Sequence, residues 1–171
     1  MQFLSRKVPD YSFKADGVPA LGAQEAAVAY RQEKSPMFAI KTEVLDPKAP
    51  TFVFTEQKTM YGGKQIAEGD SIFIFASENE GGSGLIALGI VTSASAVLRK
   101  PGVARQTPRV SIIVRRDALA KHRLGRSELK PYSNWNDGKP KTELNFKFYR
   151  QATDKIVGLS AEAAKFLRGF F

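Results

Sequence analysis

The chain has 171 residues, 43% hydrophobic and 25% charged, with 26 lysines and arginines against 17 acidic residues and a net charge of +9. This length holds one domain with a core of useful size, and the apolar content excludes wholesale disorder. The absence of cysteine excludes disulfides, a thiol nucleophile and thiolate metal sites, and the single histidine, His122, lacks the partners a triad or histidine-based metal centre needs.

No run approaches ~18 consecutive apolar residues, and Met1 to Leu21 lacks the basic start and apolar block of a secretion signal, so the cytoplasm is the expected compartment. The positive excess raises affinity for polyanions and speeds encounter with them, which makes nucleic acid the leading partner class.

Residues 1–36 read as an N-terminal extension with one short helix, Gln24 to Glu33, closed by Ser35-Pro36. Met37 to Val44 and Thr51 to Gln57 read as a strand pair around the turn Asp46 to Pro50. Tyr61-Gly62-Gly63-Lys64 leads to the most informative stretch, in which Ser71 to Ala76 and Leu85 to Val91 are apolar strands joined by the polar glycine loop Ser77 to Gly84. The small residues Ser93 to Val97 follow, and the strand must end or bulge before Pro101, which has no N–H to give to a ladder. Arg109 to Arg116 is a strand, and Asp117 to His122 a helical turn capped by Asp117. Tyr132 to Gly138 is a loop by composition and holds the only tryptophan. Leu144 to Tyr149 alternates as a half-buried strand, with Phe146 and Phe148 assigned to the core beside Phe73 and Phe75; Ser160 caps a closing helix, Ala161 to Leu167. Six strands at short intervals, with two or three short helices, predict an α+β, mostly β domain spanning the whole chain. The expected architecture is a small, mixed, largely antiparallel barrel with helices at its rim.

The turn Gly69-Asp70 entering the strand Ser71 to Phe75, Ser77 after it, and the return strand Leu88-Gly89-Ile90-Val91 together resemble the PUA-like superfamily of PUA, ASCH, EVE and YTH domains. Ile156-Val157-Gly158-Leu159-Ser160 and the terminal helix are similar to the end of EVE-type chains, so the likeness runs from about Met37 to the C-terminus. EVE domains carry a Tyr-His-Ser run where this chain has Phe75-Ala76-Ser77, and their Trp-Leu-x-Lys-Ser-Glu-Pro signature is echoed in Phe3-Leu4 and Lys7-Val8-Pro9. The resemblance implies a barrel that binds RNA, or DNA or RNA with a modified base, against aromatic groups in a cleft.

From Arg99 to Arg150 positive residues far outnumber acids, and Arg99, Lys100, Arg115, Arg116 and Lys147 are the candidates for phosphate contact. Tyr132 and Trp135 sit in this basic half beside Asn134, a combination able to stack a base and bond its edge. Ser77 offers a hydroxyl, and Gly62-Gly63-Lys64 lets backbone approach an anion without the full phosphate-loop pattern. The expectation is a nucleic-acid-binding domain without catalytic residues, metal or cofactor. The alternatives are an ASCH-type hydrolase or nuclease using Lys64, Thr59 and Glu78, and a protein–protein interaction module.

Overall fold

The computed structural model describes residues 36–151 and 154–171, and the expected helix at Gln24 to Glu33 and the signature echo at residues 3–9 lie outside them. Six strands, Met37–Thr42 (β1), Thr51–Met60 (β2), Ser71–Ala76 (β3), Gly84–Ala96 (β4), Arg109–Leu119 (β5) and Lys155–Leu159 (β6), close into a barrel in the order β1-β3-β4-β5-β2-β6. The neighbours β1/β6, β2/β5, β3/β4 and β4/β5 run antiparallel, and β1/β3 and β2/β6 run parallel. This is the small, mixed, mostly β barrel that the strand pattern predicts.

The two kinds of strand sequence have two physical causes. Phe52 and Phe54 of β2 and Val110, Ile112 and Val114 of β5 fill the barrel, while Val53, Ile113 and Arg115 between them are exposed. Those strands alternate because water meets their outer face. On β1 and β3 both faces are covered. Phe38, Ile40, Ile72 and Ile74 point into the barrel, and Met37, Ala39, Phe73 and Phe75 belong to a second core outside it. That second core is roofed by Arg126–Leu129 (α1), by Pro140–Asn145 (α2) with its π-helical continuation Phe146–Gln151, and by Ala161–Arg168 (α3). Leu129, Leu144, Phe148, Ala164 and Leu167 supply its apolar side, with the Phe148 ring 4.8 Å from that of Phe75.

Four local expectations are corrected. Leu144 to Tyr149 is helical: Pro140 starts the turn, and Leu144 and Phe148, four residues apart, both face the core. Phe146, assigned to the core with them, is only half-buried and lies to one side. Asp117 does not cap a helical turn, because β5 runs on through Leu119, pairing Ala118 with Leu88 and Leu119 with Ala87. The strands at 37–44 and 51–57 exist but do not pair with each other, since β6 lies between them. The hairpin of β3 and β4 and the closing helix stand as expected. Ser160 caps α3 by accepting the Ala163 N–H at 3.1 Å.

Candidate functional site

The β4–β5 hairpin carries the pairing out to Ala96 and Val110, and its long connection, residues 97–108, folds back beside β2. This connection is built by specific bonds. Gln106 accepts the Lys100 N–H at 2.8 Å and donates its amide to the carbonyls of Lys100 at 2.7 Å and Val103 at 3.0 Å. Arg99 donates to the Ala104 carbonyl at 3.5 Å, and Thr59 bonds the Pro108 carbonyl through both its N–H, at 3.0 Å, and its hydroxyl, at 2.9 Å. On the facing side β2 bulges at Glu56, which has φ of 49°. Its N–H donates to the Ser111 hydroxyl at 2.9 Å, and its carbonyl takes the Arg109 guanidinium at 2.8 Å.

Bulge and connection enclose a groove of about 680 Å³. Lys58, Lys64, Arg99, Lys100, Arg105 and Arg109 line it, all exposed, with Glu56 the one carboxylate among the described lining residues. Charges of one sign on the walls of a concave site focus their field and raise the local concentration of the opposite charge. The arrangement suits an extended polyanion.

A second polar group lies between the barrel wall and its helical roof. Lys41 continues the outward-facing row of Met37 and Ala39, is 1% exposed, and holds its ammonium 4.4 Å from the Tyr149 ring centre. The Tyr149 hydroxyl donates to Glu78 Oε1 at 2.7 Å, and the Arg126 N–H donates to the same oxygen at 3.0 Å. Glu78 Oε2 is buried without a partner among the described residues. Burial pushes the Lys41 ammonium below its ordinary range, against the pull of Glu78, and burial followed by the bond to Glu78 raises the Tyr149 phenol above its own.

Among the sequence-predicted residues, Arg99 and Lys100 line the groove, and Lys64, next to the Gly62-Gly63 turn, joins them. Arg115 is exposed on β5, and Arg116 donates to the Lys48 carbonyl. Ser77 is buried at the start of the β3–β4 loop, where its carbonyl accepts the N–H groups of Glu80 and Gly82. Lys147 is committed internally, to the Gly158 carbonyl at 2.7 Å and Glu143 at 3.3 Å. Trp135 is 38% exposed, with the Phe146 ring 5.4 Å away and the Arg150 guanidinium 4.8 Å from its own ring. Its loop is pinned by Asp137, which accepts the Lys139 N–H at 2.9 Å and the Thr142 hydroxyl at 3.0 Å. Asn134 is exposed and accepts the Asp137 N–H, while Tyr132 accepts the Lys141 ammonium at 3.0 Å. None of Ser77, Arg115, Arg116, Tyr132, Asn134, Trp135 and Lys147 lines the groove of Arg99 and Lys100. The three residues of the hydrolase alternative also part company: Lys64 is in the groove, Glu78 is with Tyr149, and the Thr59 hydroxyl is held by Pro108.

Sequence reasoning missed Lys58, whose place in the groove follows from the β2 bulge, and Lys41.

No family profile and no curated protein matches the sequence. Solved structures do. The human THYN1 protein in complex with 5-methylcytosine-containing DNA superposes with a TM-score of 0.55 at 16% identity, over 79% of this chain and 96% of that one. The DUF55 domain of human thymocyte nuclear protein 1 gives 0.53 at 16% identity, over 78% and 96%. A hypothetical protein from Leishmania major gives 0.51 at 16% identity, over 81% and 96%. At these identities the likeness establishes the fold alone, the small mixed barrel that this chain shares with them.

Proposed function

We propose that this EVE-like barrel is a non-catalytic nucleic-acid-binding domain whose β4–β5 groove holds the phosphate backbone. The observation that carries the reading is the lining of that groove, where the described residues place six exposed cations around a concave wall with a single carboxylate. The human structure of the same fold with methylated DNA supports the same partner class. Trp135 is the base-stacking residue of this reading, presented to an unpaired or extruded base that is RNA, or a modified base in DNA or RNA. More than a third of its surface is open, and Arg150 and Phe146 steady the ring. We place the protein in the cytoplasm, the compartment that a cysteine-free composition fits. Among the described residues no helix is long and apolar enough to cross a membrane.

The test is binding of the purified chain to labelled single- and double-stranded DNA and RNA over a range of salt, beside an Arg99→Ala/Lys100→Ala variant and a Trp135→Ala variant. The double variant is expected to flatten the salt dependence of log K by roughly 0.9 for each phosphate contact removed on duplex DNA. Trp135→Ala is expected to cost about tenfold in affinity on ligands with an unpaired base, the lower part of the range for one stacked base. No binding at low salt refutes the whole reading. Unchanged affinity in Trp135→Ala refutes the stacking assignment and leaves the groove.

A further inference from the structure

The groove holds a feature that phosphate binding does not use. Leu98 lies between the cations of its lining and is 91% exposed, and Val103, across the same connection, is 49% exposed. A leucine side chain is stabilised when it is moved from water into an apolar setting. At Leu98 that stabilisation is left unrealised in the free protein. Nor is the exposure a product of a slack loop, since the three Gln106 bonds and the turn at Gly102, with φ of 78°, fix the connection on either side of Val103. The fold therefore holds an apolar side chain outward amid Lys58, Lys64, Arg99, Lys100, Arg105 and Arg109.

A partner for such a surface must offer dense negative charge beside apolar surface. A nucleic acid does so, with phosphates along its edge and base faces within. A cationic groove built for single strands would add aromatic rings on which successive bases stack, and among the described residues no aromatic lines this one. Aliphatic side chains flanked by lysine and arginine serve differently: they wedge between adjacent base pairs of a duplex and kink it.

We propose that Leu98 is a wedge which enters a base step of duplex DNA while the surrounding cations hold the phosphates on both sides, with Val103 packing at the opened edge. The proposal rests on the groove reading given above and names its substrate as a duplex that is bent on binding.

The test uses the full chain and DNA duplexes carrying a fluorescent aminopurine at successive positions, together with donor and acceptor dyes at the duplex ends to report bending. Wild-type protein is expected to raise aminopurine emission several-fold at one step and to shorten the end-to-end distance. Leu98→Ser, at a side chain in water, leaves folding intact. It is expected to keep the salt dependence of binding while losing the emission rise and the bend, and Leu98→Met restores both. If Leu98→Ser bends and unstacks the duplex as wild type does, the wedge is refuted and the groove stands. Binding to single strands alone, or self-association that Leu98→Ser abolishes without any effect on DNA, also refutes it. Absence of binding to any nucleic acid at low salt refutes the groove reading itself.

Discussion

Glu78 is asked to hold two groups with one oxygen, the Tyr149 hydroxyl at 2.7 Å and the Arg126 N–H at 3.0 Å. Removing the phenol hydroxyl leaves a carboxylate in partly buried surroundings with one donor fewer. Tyr149→Phe is therefore expected to lower stability at neutral pH by about 1.5–3 kcal/mol, the range for a hydrogen bond to a charged group, read from urea unfolding. The pH dependence has a definite sign. The phenol's pKa is raised in the folded protein, by burial first and the Glu78 bond second. Its contribution is complete below the unfolded value near 10 and is lost as the pH climbs from there toward the folded value. The gap between wild type and Tyr149→Phe should thus stay constant from neutral pH to about pH 9 and shrink above pH 10; a gap that widens there contradicts the assignment. Lys41 acts in the opposite direction. Burial lowers its pKa, so the unfolded chain binds the extra proton, and stability rises with pH up to the ordinary lysine value. Lys41→Met is expected to flatten that rise.

At the scale of elements, barrel closure depends on β6 and the turn that rests on it. A methyl group built at Gly63 would stand 2.1 Å from the Ile156 carbonyl oxygen, and one at Gly158 would stand 2.4 Å from that of Tyr61. Backbone on both sides cannot yield as a flexible side chain does. Gly63→Ala is expected to cost roughly 3 kcal/mol, the upper part of the overpacking range. Gly69→Ala, at φ of 91° with nothing within 4 Å, is expected to cost only the left-handed penalty of about 1–2 kcal/mol. Equal unfolding midpoints for the two variants would contradict the close approach. This element also marks where the sequence became hard to read. The β3–β4 hairpin was legible because two apolar runs flank a polar glycine loop, and β2 and β5 because water on one face enforces alternation. β6 was visible only through a likeness, since five residues beside a helix cap carry little periodicity of their own. The stretch Leu144 to Tyr149 misled because apolar residues at every second position also supply a pair four apart, and Pro140 upstream decided for the helix. The parallel pairings of β1 with β3 and β2 with β6 join segments far apart in sequence, and no local pattern records them. The groove was half legible: Arg99 and Lys100 stood out in a basic run, but that same run also contains Lys147 and Arg116, which the fold turns to its own carbonyls.

For the molecule as a whole, the question is whether the net charge of +9 or its placement governs binding. A polyanion attracted by net charge alone responds to every exposed lysine alike, whereas a groove concentrates the response in its lining. Two triple variants separate these cases. Lys64→Gln/Lys100→Gln/Arg105→Gln removes three cations from the groove, and Lys121→Gln/Lys130→Gln/Lys165→Gln removes three exposed lysines from other surfaces, so both lower the net charge by the same amount. Among the described residues the side chains of the first set make no hydrogen bond that the connection depends on, since Lys100 is tied to Gln106 through its backbone. Affinity for duplex DNA at moderate salt is expected to fall by an order of magnitude or more in the groove variant, with a flatter salt dependence, and by less than about threefold in the other. The contrast should fade as salt is raised and screening shortens the reach of every charge to a few ångströms. Equal losses in the two variants would mean that the barrel attracts nucleic acid as a diffuse positive body and that the groove has no particular claim on the phosphates.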